Sequence, residues 1–436
     1  MKRTDFSFWS PLTILLAVLI FLGSAFADGA RGQVLHRFQG PDGSNPAGNL
    51  ISDRAGNFYG TTEYGGENGY YGTVFKLSPP AKPEGPWILT TLYVFTNTGD
   101  GARPTDGLIV DNEGNLYGTT SDSNAGGYGE IFRLSPPSAR GGAWTETVLY
   151  HFQGGSDGAY PRGGLIADEQ RNFYGATETS IFELSPPAQA GSAWTFSVLH
   201  DFTDSTSDGW SPQDGLVRDK RGNLYGSTIW GGYEGNPDCG EIGCGTVFEV
   251  SPPAAAGGEW TEQVLHFFGV GSDGFDPEGG LTLDARGNLY GTTYSGGALG
   301  GGTAFQLVPP SQAGDSWTEH VIHSFSYSPH DGAAPVATMI SDRDGNLYGS
   351  AMFGGHPCFY DGATYGCGVV FELSPPESDG GAWRERVLYF FQIRPGAGKQ
   401  PGASLLFDDF GSLYGTTVYG GACAAEQCGT VFRIVP

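Results

Sequence analysis

Beyond Leu22 the sequence has no further long apolar run, which excludes a helical membrane span in the body of the chain. Basic residues are scarce, with 22 Lys and Arg against 47 Asp and Glu and a formal net charge of −25. That balance argues against nucleic acid and against anionic membrane surfaces as partners. Cysteine is absent before position 239. No Gly-x-Ser-x-Gly elbow, HExxH helix or phosphate-binding glycine loop occurs anywhere, so the common signatures of hydrolases, zinc proteases and nucleotide enzymes are missing.

The single apolar run, Leu12 to Leu22, follows Lys2 and Arg3 and precedes Ala25-Phe26-Ala27. A charged start, a short apolar core and an A-x-A site define a secretory signal peptide over residues 1–27, cleaved after Ala27. A run this short does not span a bilayer. Export predicts an oxidising environment. The six cysteines then read as three local disulfides, Cys239–Cys244, Cys358–Cys367 and Cys423–Cys428. Zinc ligation is the competing reading, but no pair has a nearby second pair of N or S ligands.

Glycine and proline are abundant, with 73 and 28 copies, and they recur at fixed places. One motif carries the period: GNFYGTT at 56–62, GNLYGTT at 114–120, RNFYGAT at 171–177, GNLYGST at 222–228, GNLYGTT at 287–293, GNLYGSA at 345–351 and GSLYGTT at 411–417. Its tyrosines, Tyr59, Tyr117, Tyr174, Tyr225, Tyr290, Tyr348 and Tyr414, are spaced by 58, 57, 51, 65, 58 and 66 residues. Each repeat holds four strand-like runs. In the second repeat these are 107–111 (A), 116–120 (B), 130–134 (C) and 144–152 (D), separated by turn residues and a Ser-Pro-Pro break. Seven such repeats predict an all-β fold, a seven-bladed β-propeller of four-stranded antiparallel blades in one domain, 28–436. The chain starts with a D-like strand, Val34–Phe38 within 33–38, and ends with a C-like strand, Gly429–Arg433. Pairing them completes the last blade and closes the ring.

Propeller geometry puts the B–C and D–A loops on one face. The variable loops and all six cysteines fall there, which makes it the candidate binding face. Tyr64, Trp230, Phe353 and Tyr419 precede Gly-Gly just after strand B, while Tyr160, Trp210 and Phe275 lie in the D–A turns. Exposed rings among them would suit sugars or a protein partner. The set Tyr64, Trp210, Trp230, Phe353 and Tyr419 is the candidate ligand site; the alternative is rings packed on their own turns. The D–A loops also repeat Asp-Gly-x-x-Pro. Asp42, Asp100, Asp157, Asp208, Asp273 and Asp331 are turn formers, or alternatively Ca²⁺ ligands, although no calcium-hand spacing is present. The Asp ending strand A (Asp53, Asp111, Asp168, Asp219, Asp284, Asp342, Asp408) reads as a turn cap. The repeated Trp that opens strand D (Trp87, Trp144, Trp194, Trp260, Trp317, Trp383) reads as blade-to-blade packing. Five histidines, His36, His151, His200, His266 and His323, fall in strand D, the outermost strand. Only His330 and His356 lie in loops of the candidate face, which leaves no nucleophile–base–orienter set and no assigned catalytic residue.

The pattern LIxDxxGNLYGTT…GG…GTVFxLSPP…W…VLYxF resembles the GloVer tandem repeat of exported proteins from environmental bacteria, labelled choice-of-anchor proteins. Its A–B portion is similar to the NHL class of propeller repeat. The resemblance covers nearly the whole chain after residue 27. It implies an exported or surface protein and transfers no catalytic residue. A C-terminal sorting tail is frequent in such proteins; this sequence stops at Pro436 after strand C, which predicts a released or periplasmic protein, and a monomer is expected. The expected function is a non-enzymatic binding propeller for a glycan or cell-surface protein. A polysaccharide lyase or lactonase-like enzyme and a structural envelope scaffold are the alternatives.

Overall fold

The computed structural model describes residues 30–436 apart from 47, 68–69, 83–84, 124–126, 140, 190, 204–206, 233–238, 241, 256, 313, 361–362, 379 and 424–426. The expected signal peptide, 1–27, lies outside the described residues. The fold is a seven-bladed β-propeller, each blade an antiparallel sheet in the order A-B-C-D. In blade two, for example, A is Ile109–Val110, B is Leu116–Thr120, C is Glu130–Ser135 and D is Thr145–His151.

The ring closes as the termini predicted. Arg31–Arg37 pairs antiparallel with Thr430–Val435, with Val34 opposite Phe432 and His36 opposite Val431, so the first strand is strand D of blade seven. Phe38 N–H extends the ladder to Gly429 C=O at 3.2 Å.

The repeated motif has a physical reason at each position. The Asp that ends strand A caps the A–B turn: Asp53 accepts from the N–H groups of Ala55 and Asn57, from Asn57 Nδ2 and from Tyr59 Oη at 2.7–3.0 Å. Burial raises the carboxyl, but these hydrogen bonds outweigh it and hold Asp53 below its ordinary range, as also happens at Asp111, Asp342 and Asp408. The glycine after the Tyr lies under the phenylalanine of strand C. A Cβ on Gly226 would stand 2.5 Å from Phe248 Cζ, and one on Gly118 2.8 Å from Phe132 Cζ. The strand-C rings Phe75, Phe132, Phe182, Phe248, Phe305 and Phe371 are fully buried and, with Phe432 at 3% exposed, form the middle of each blade. The strand-D tryptophans cross to the preceding blade, as expected: Trp260 packs on Tyr174, Trp317 on Tyr225 and Trp383 on Tyr290.

Two features differ from the expectation. Strand A of blade two pairs over two residues rather than five. The preceding residues, Gly107 and its equivalents, bend round the axis and meet their neighbours instead: a Cβ on Gly107 would lie 3.0 Å from Asn49 Cβ, and Ser404 N–H donates to Asn49 Oδ1 at 2.8 Å. Strand D is also interrupted in every blade by a bulge, as between Val247 and Phe248, where Leu265 is the extra residue. A bulge re-aims the side chain that follows it, and here that residue is the strand-D His or Tyr.

Gly226→Ala should cost about 1–3 kcal/mol through overpacking against Phe248, and Phe248→Ala about 3–5 kcal/mol through the cavity it leaves. Guanidinium unfolding measures both; a neutral Gly226→Ala would contradict the packing account.

Candidate functional site

The face carrying the B–C and D–A loops is built on a strained ring. Seven non-glycine residues immediately before proline, one per blade, have φ between 52° and 60°: Asn45, Arg103, Tyr160, Ser211, Asp276, Ala334 and Gln400. Left-handed backbone costs a non-glycine residue roughly 1–2 kcal/mol, and residues before proline ordinarily prefer extended backbone. Each N–H bonds the preceding blade, and at Asn45, Arg103, Asp276 and Ala334 the C=O also accepts from the end of the next strand B. Arg103 N–H donates to Tyr71 C=O of blade one at 2.8 Å, and Arg103 C=O accepts from Ser121 N–H of blade two at 3.0 Å. The backbone recurs while the side chains diverge, which is how a repeat frame displays different groups at one level. The Asp-Gly-x-x-Pro motif marked these loops; nothing in it marked the left-handed turn.

The three disulfides form as expected. Their second cysteines sit where the next blade attaches. The carbonyls of Cys244, Cys367 and Cys428 accept the N–H of Asp276, Gln400 and Asn45 at 2.9–3.2 Å.

Two concavities open on this face. The first, about 560 Å³, lies at the axial mouth and is lined by Glu63, Arg103, Asp106, Asp122, Tyr160, Arg162 and Gln213 among others. Arg162 donates to Gln213 Oε1 at 2.8 Å. Asp106 is pushed up by burial and then by the charge of Asp214, which reaches across the axis to Gly280 N–H and Thr338 Oγ1 at 2.7 Å. Glu278 nearby is pushed up to about 7 by burial and then by Asp276, against the opposing Arg162. The second concavity is a groove of about 720 Å³ between blades seven and one, lined by Tyr64, Glu67, Tyr70, Tyr419, Cys423, Gln427 and Cys428 among others. Between the two, the Arg103 guanidinium of the first lies 5.5 Å from the ring centre of Tyr64 in the second.

A family model described as the Gloeobacter/Verrucomicrobia repeat matches residues 24–181 and 178–358. The chain belongs to that repeat family. No curated protein matches it in sequence. Among solved structures, it is similar to PorZ, a bacterial surface component of the type-IX secretion system of Porphyromonas gingivalis, at 13% identity and TM-score 0.50. It is similar, too, to the extracellular domain of a putative one-component system from B. thetaiotaomicron, at 14% identity and TM-score 0.50. The alignments cover 90% and 94% of this chain but 47% and 42% of those proteins, so the chain spans under half their length. At such identity the likeness is one of fold.

Within this repeat family member, the candidate aromatic residues divide. Tyr64 and Tyr419 share the groove, joined by Tyr70, which is 80% exposed and carries no aromatic–Gly-Gly motif. Trp210 and Trp230 pair with each other at 4.4 Å across a two-stranded ladder in blade four. Phe353 is placed otherwise: it is 9% exposed and buried against Ala333 and Ala334, because its β-bridge partner strand folds over it. The candidate calcium ligands do not converge. Each carboxylate is engaged by its own D–A loop and the preceding strand D: Asp100 accepts from Thr96 N–H and Tyr93 Oη, Asp157 from Gln153 N–H and Tyr150 Oη, and Asp331 from Ser326 N–H and Gly332 N–H. Asp208 and Asp273 follow the same pattern, with Thr203 and Gly269. The separation follows from one such loop per blade. His330 and His356 are exposed and line neither concavity.

The carboxyls set a pH optimum. Asp53, Asp111, Asp342 and Asp408 sit below their ordinary 3.8, so their contribution is present above that pH and is lost as pH falls through their lowered values. Glu278 and Glu146, both near 7 and raised first by burial, act in the opposite sense. Their contribution is complete below 4.5 and lost as pH climbs toward 7. Thermal unfolding should show greatest stability near pH 4–5, with Glu278→Gln flattening the decline toward pH 7. A stability maximum at pH 7–8 would contradict these environments.

Proposed function

We propose that this chain is exported, with its leader cut after Ala27, and that it binds glycan chains on the B–C/D–A face without chemically altering them. The observation carrying this reading is the meeting of Tyr64, Tyr70 and Tyr419 in one open groove, beside a polar axial cavity from which the Arg103–Tyr64 contact divides it. Tyrosine faces offer flat apolar area to the C–H faces of a sugar ring, and their hydroxyls serve its rim. Glu63, Asp122, Arg162 and Gln213 supply acceptors and donors in the neighbouring cavity for hydroxyl groups. A net charge of −25 favours neutral over strongly acidic polysaccharides. An open, polar-lined groove suits a chain end or an extended segment rather than a small enclosed metabolite.

The surface role of PorZ and the extracellular placement of the second similar domain agree with an exported binding propeller. Three disulfides agree with an oxidising compartment.

Glycan-array screening followed by calorimetry on neutral oligosaccharides tests the reading. Tyr70→Ala and Tyr419→Ala should each weaken binding at least tenfold, about 1.4 kcal/mol, with Tm unchanged. Phe353→Ala should instead lower Tm. Full retention of affinity in both tyrosine variants, or no binding to any neutral glycan, would rule the groove out.

A further inference from the structure

The outer edge of six of the seven blade junctions brings together a strand-D side chain, the Asp of the following D–A loop, and the second residue of the next strand D; the loop after Tyr389 has no Asp. Between blades three and four these are His200, Asp208 and Glu262. Their ligand-capable atoms lie within 4.8 Å of one another. His200 Nε2 is 3.5 Å from Asp208 Oδ1, and Asp208 is 8% exposed. Asp208 is fixed from behind: Oδ2 accepts from Thr203 N–H at 3.0 Å and Oδ1 from Gly209 N–H at 2.9 Å. The bulge at Leu199 turns His200 toward it.

A second observation is independent of this clustering. Glu262 Oε1 is shut off from solvent with no hydrogen-bond partner among the described residues, and His200 Nε2, equally shut off, has only the long 3.5 Å approach to Asp208 Oδ1. Buried polar atoms are almost always satisfied, and an orphan calls for an explanation such as an ion. Two carboxylates facing each other across an imidazole are mutually unfavourable unless a proton or a cation lies between them.

We propose that His200, Asp208 and Glu262 form a binding site for a first-row divalent cation, Zn²⁺ in the first instance, that clamps blade three to blade four. The donor set selects the ion. One imidazole nitrogen and two carboxylates, with a fourth position left for water, suit Zn²⁺ or Mn²⁺, whereas Ca²⁺ takes six to eight oxygens. Reaching ligand distances of about 2.0–2.2 Å requires only that the three side chains draw together. The same three residue types recur at the next two junctions as His266, Asp273 and Glu319, and as His323, Asp331 and Glu385, with His–Asp separations of 3.3 Å. The junction of Tyr93, Asp100 and Glu146 keeps the acids but replaces the imidazole by a phenol that donates to Asp100. It supplies an internal control.

The test is calorimetric titration of the chelator-stripped full chain with ZnCl₂, alongside thermal melts. The wild type should take up at least one equivalent with low-micromolar affinity or better and gain thermal stability, while CaCl₂ gives neither effect. His200→Gln and Glu262→Gln should each remove one equivalent, or weaken the tightest binding at least thirtyfold, with the metal-free Tm held or raised. Glu146→Gln should bind as the wild type does. Absence of Zn²⁺ uptake by the wild type, or wild-type uptake in both junction variants, would overturn the proposal. Neither outcome bears on glycan binding, which uses other residues.

Discussion

The ladder between Arg31–Arg37 and Thr430–Val435 turns a linear series of blades into a ring. Without it the sheet of blade seven would end at strand C, and both chain ends would present unpaired N–H and C=O groups as open edges. With it, each strand-A residue near the axis meets a neighbour on either side, as the contact of Asn49 with both Gly107 and Ser404 illustrates. The small residues at this inner level follow from that crowding.

The ring also explains why strain is concentrated on one face. The residue before each D–A proline turns left-handed so that its N–H reaches the previous blade, and at most of these positions its C=O reaches the next strand-B end. An unfavourable backbone conformation is sustained by a hydrogen bond that only the neighbouring blade can provide. The cysteine loops are fixed at the same junctions, since Cys244, Cys367 and Cys428 are the acceptors there. The face is therefore a stiff frame, on which Arg103, Tyr160 and Asp276 occupy equivalent positions with different chemistry. Rigidity of this kind lowers the ordering cost of binding.

What the sequence made legible is what repeats. The Tyr-Gly of each motif, the capping Asp and the D-like start at Val34 specified blade number, strand order and closure, because each is a local pattern with a local cause. The site was legible in part. Tyr64 and Tyr419 stand in one groove because blades seven and one adjoin only after the ring closes, and that adjacency follows from counting blades. Tyr70 carries no motif, and its exposure depends on how the B–C loop of blade one folds. Phe353 shares the aromatic–Gly-Gly pattern with Tyr64, yet Ala333 and Ala334 leave room for its ring to sink inward. The pairing of His200 with Glu262 was hidden for another reason: the two lie 62 positions apart in different blades, and a bulge decides where the imidazole points.

Hydrogen exchange read by mass spectrometry on peptides covering 31–37 and 430–435 probes the closing ladder directly. If the ring is shut, both peptides exchange slowly and at one common rate, because only global opening exposes them. Exchange of 31–37 within seconds while 430–435 stays protected would mean that the first strand is not part of blade seven, and the account of the binding face would fall with it.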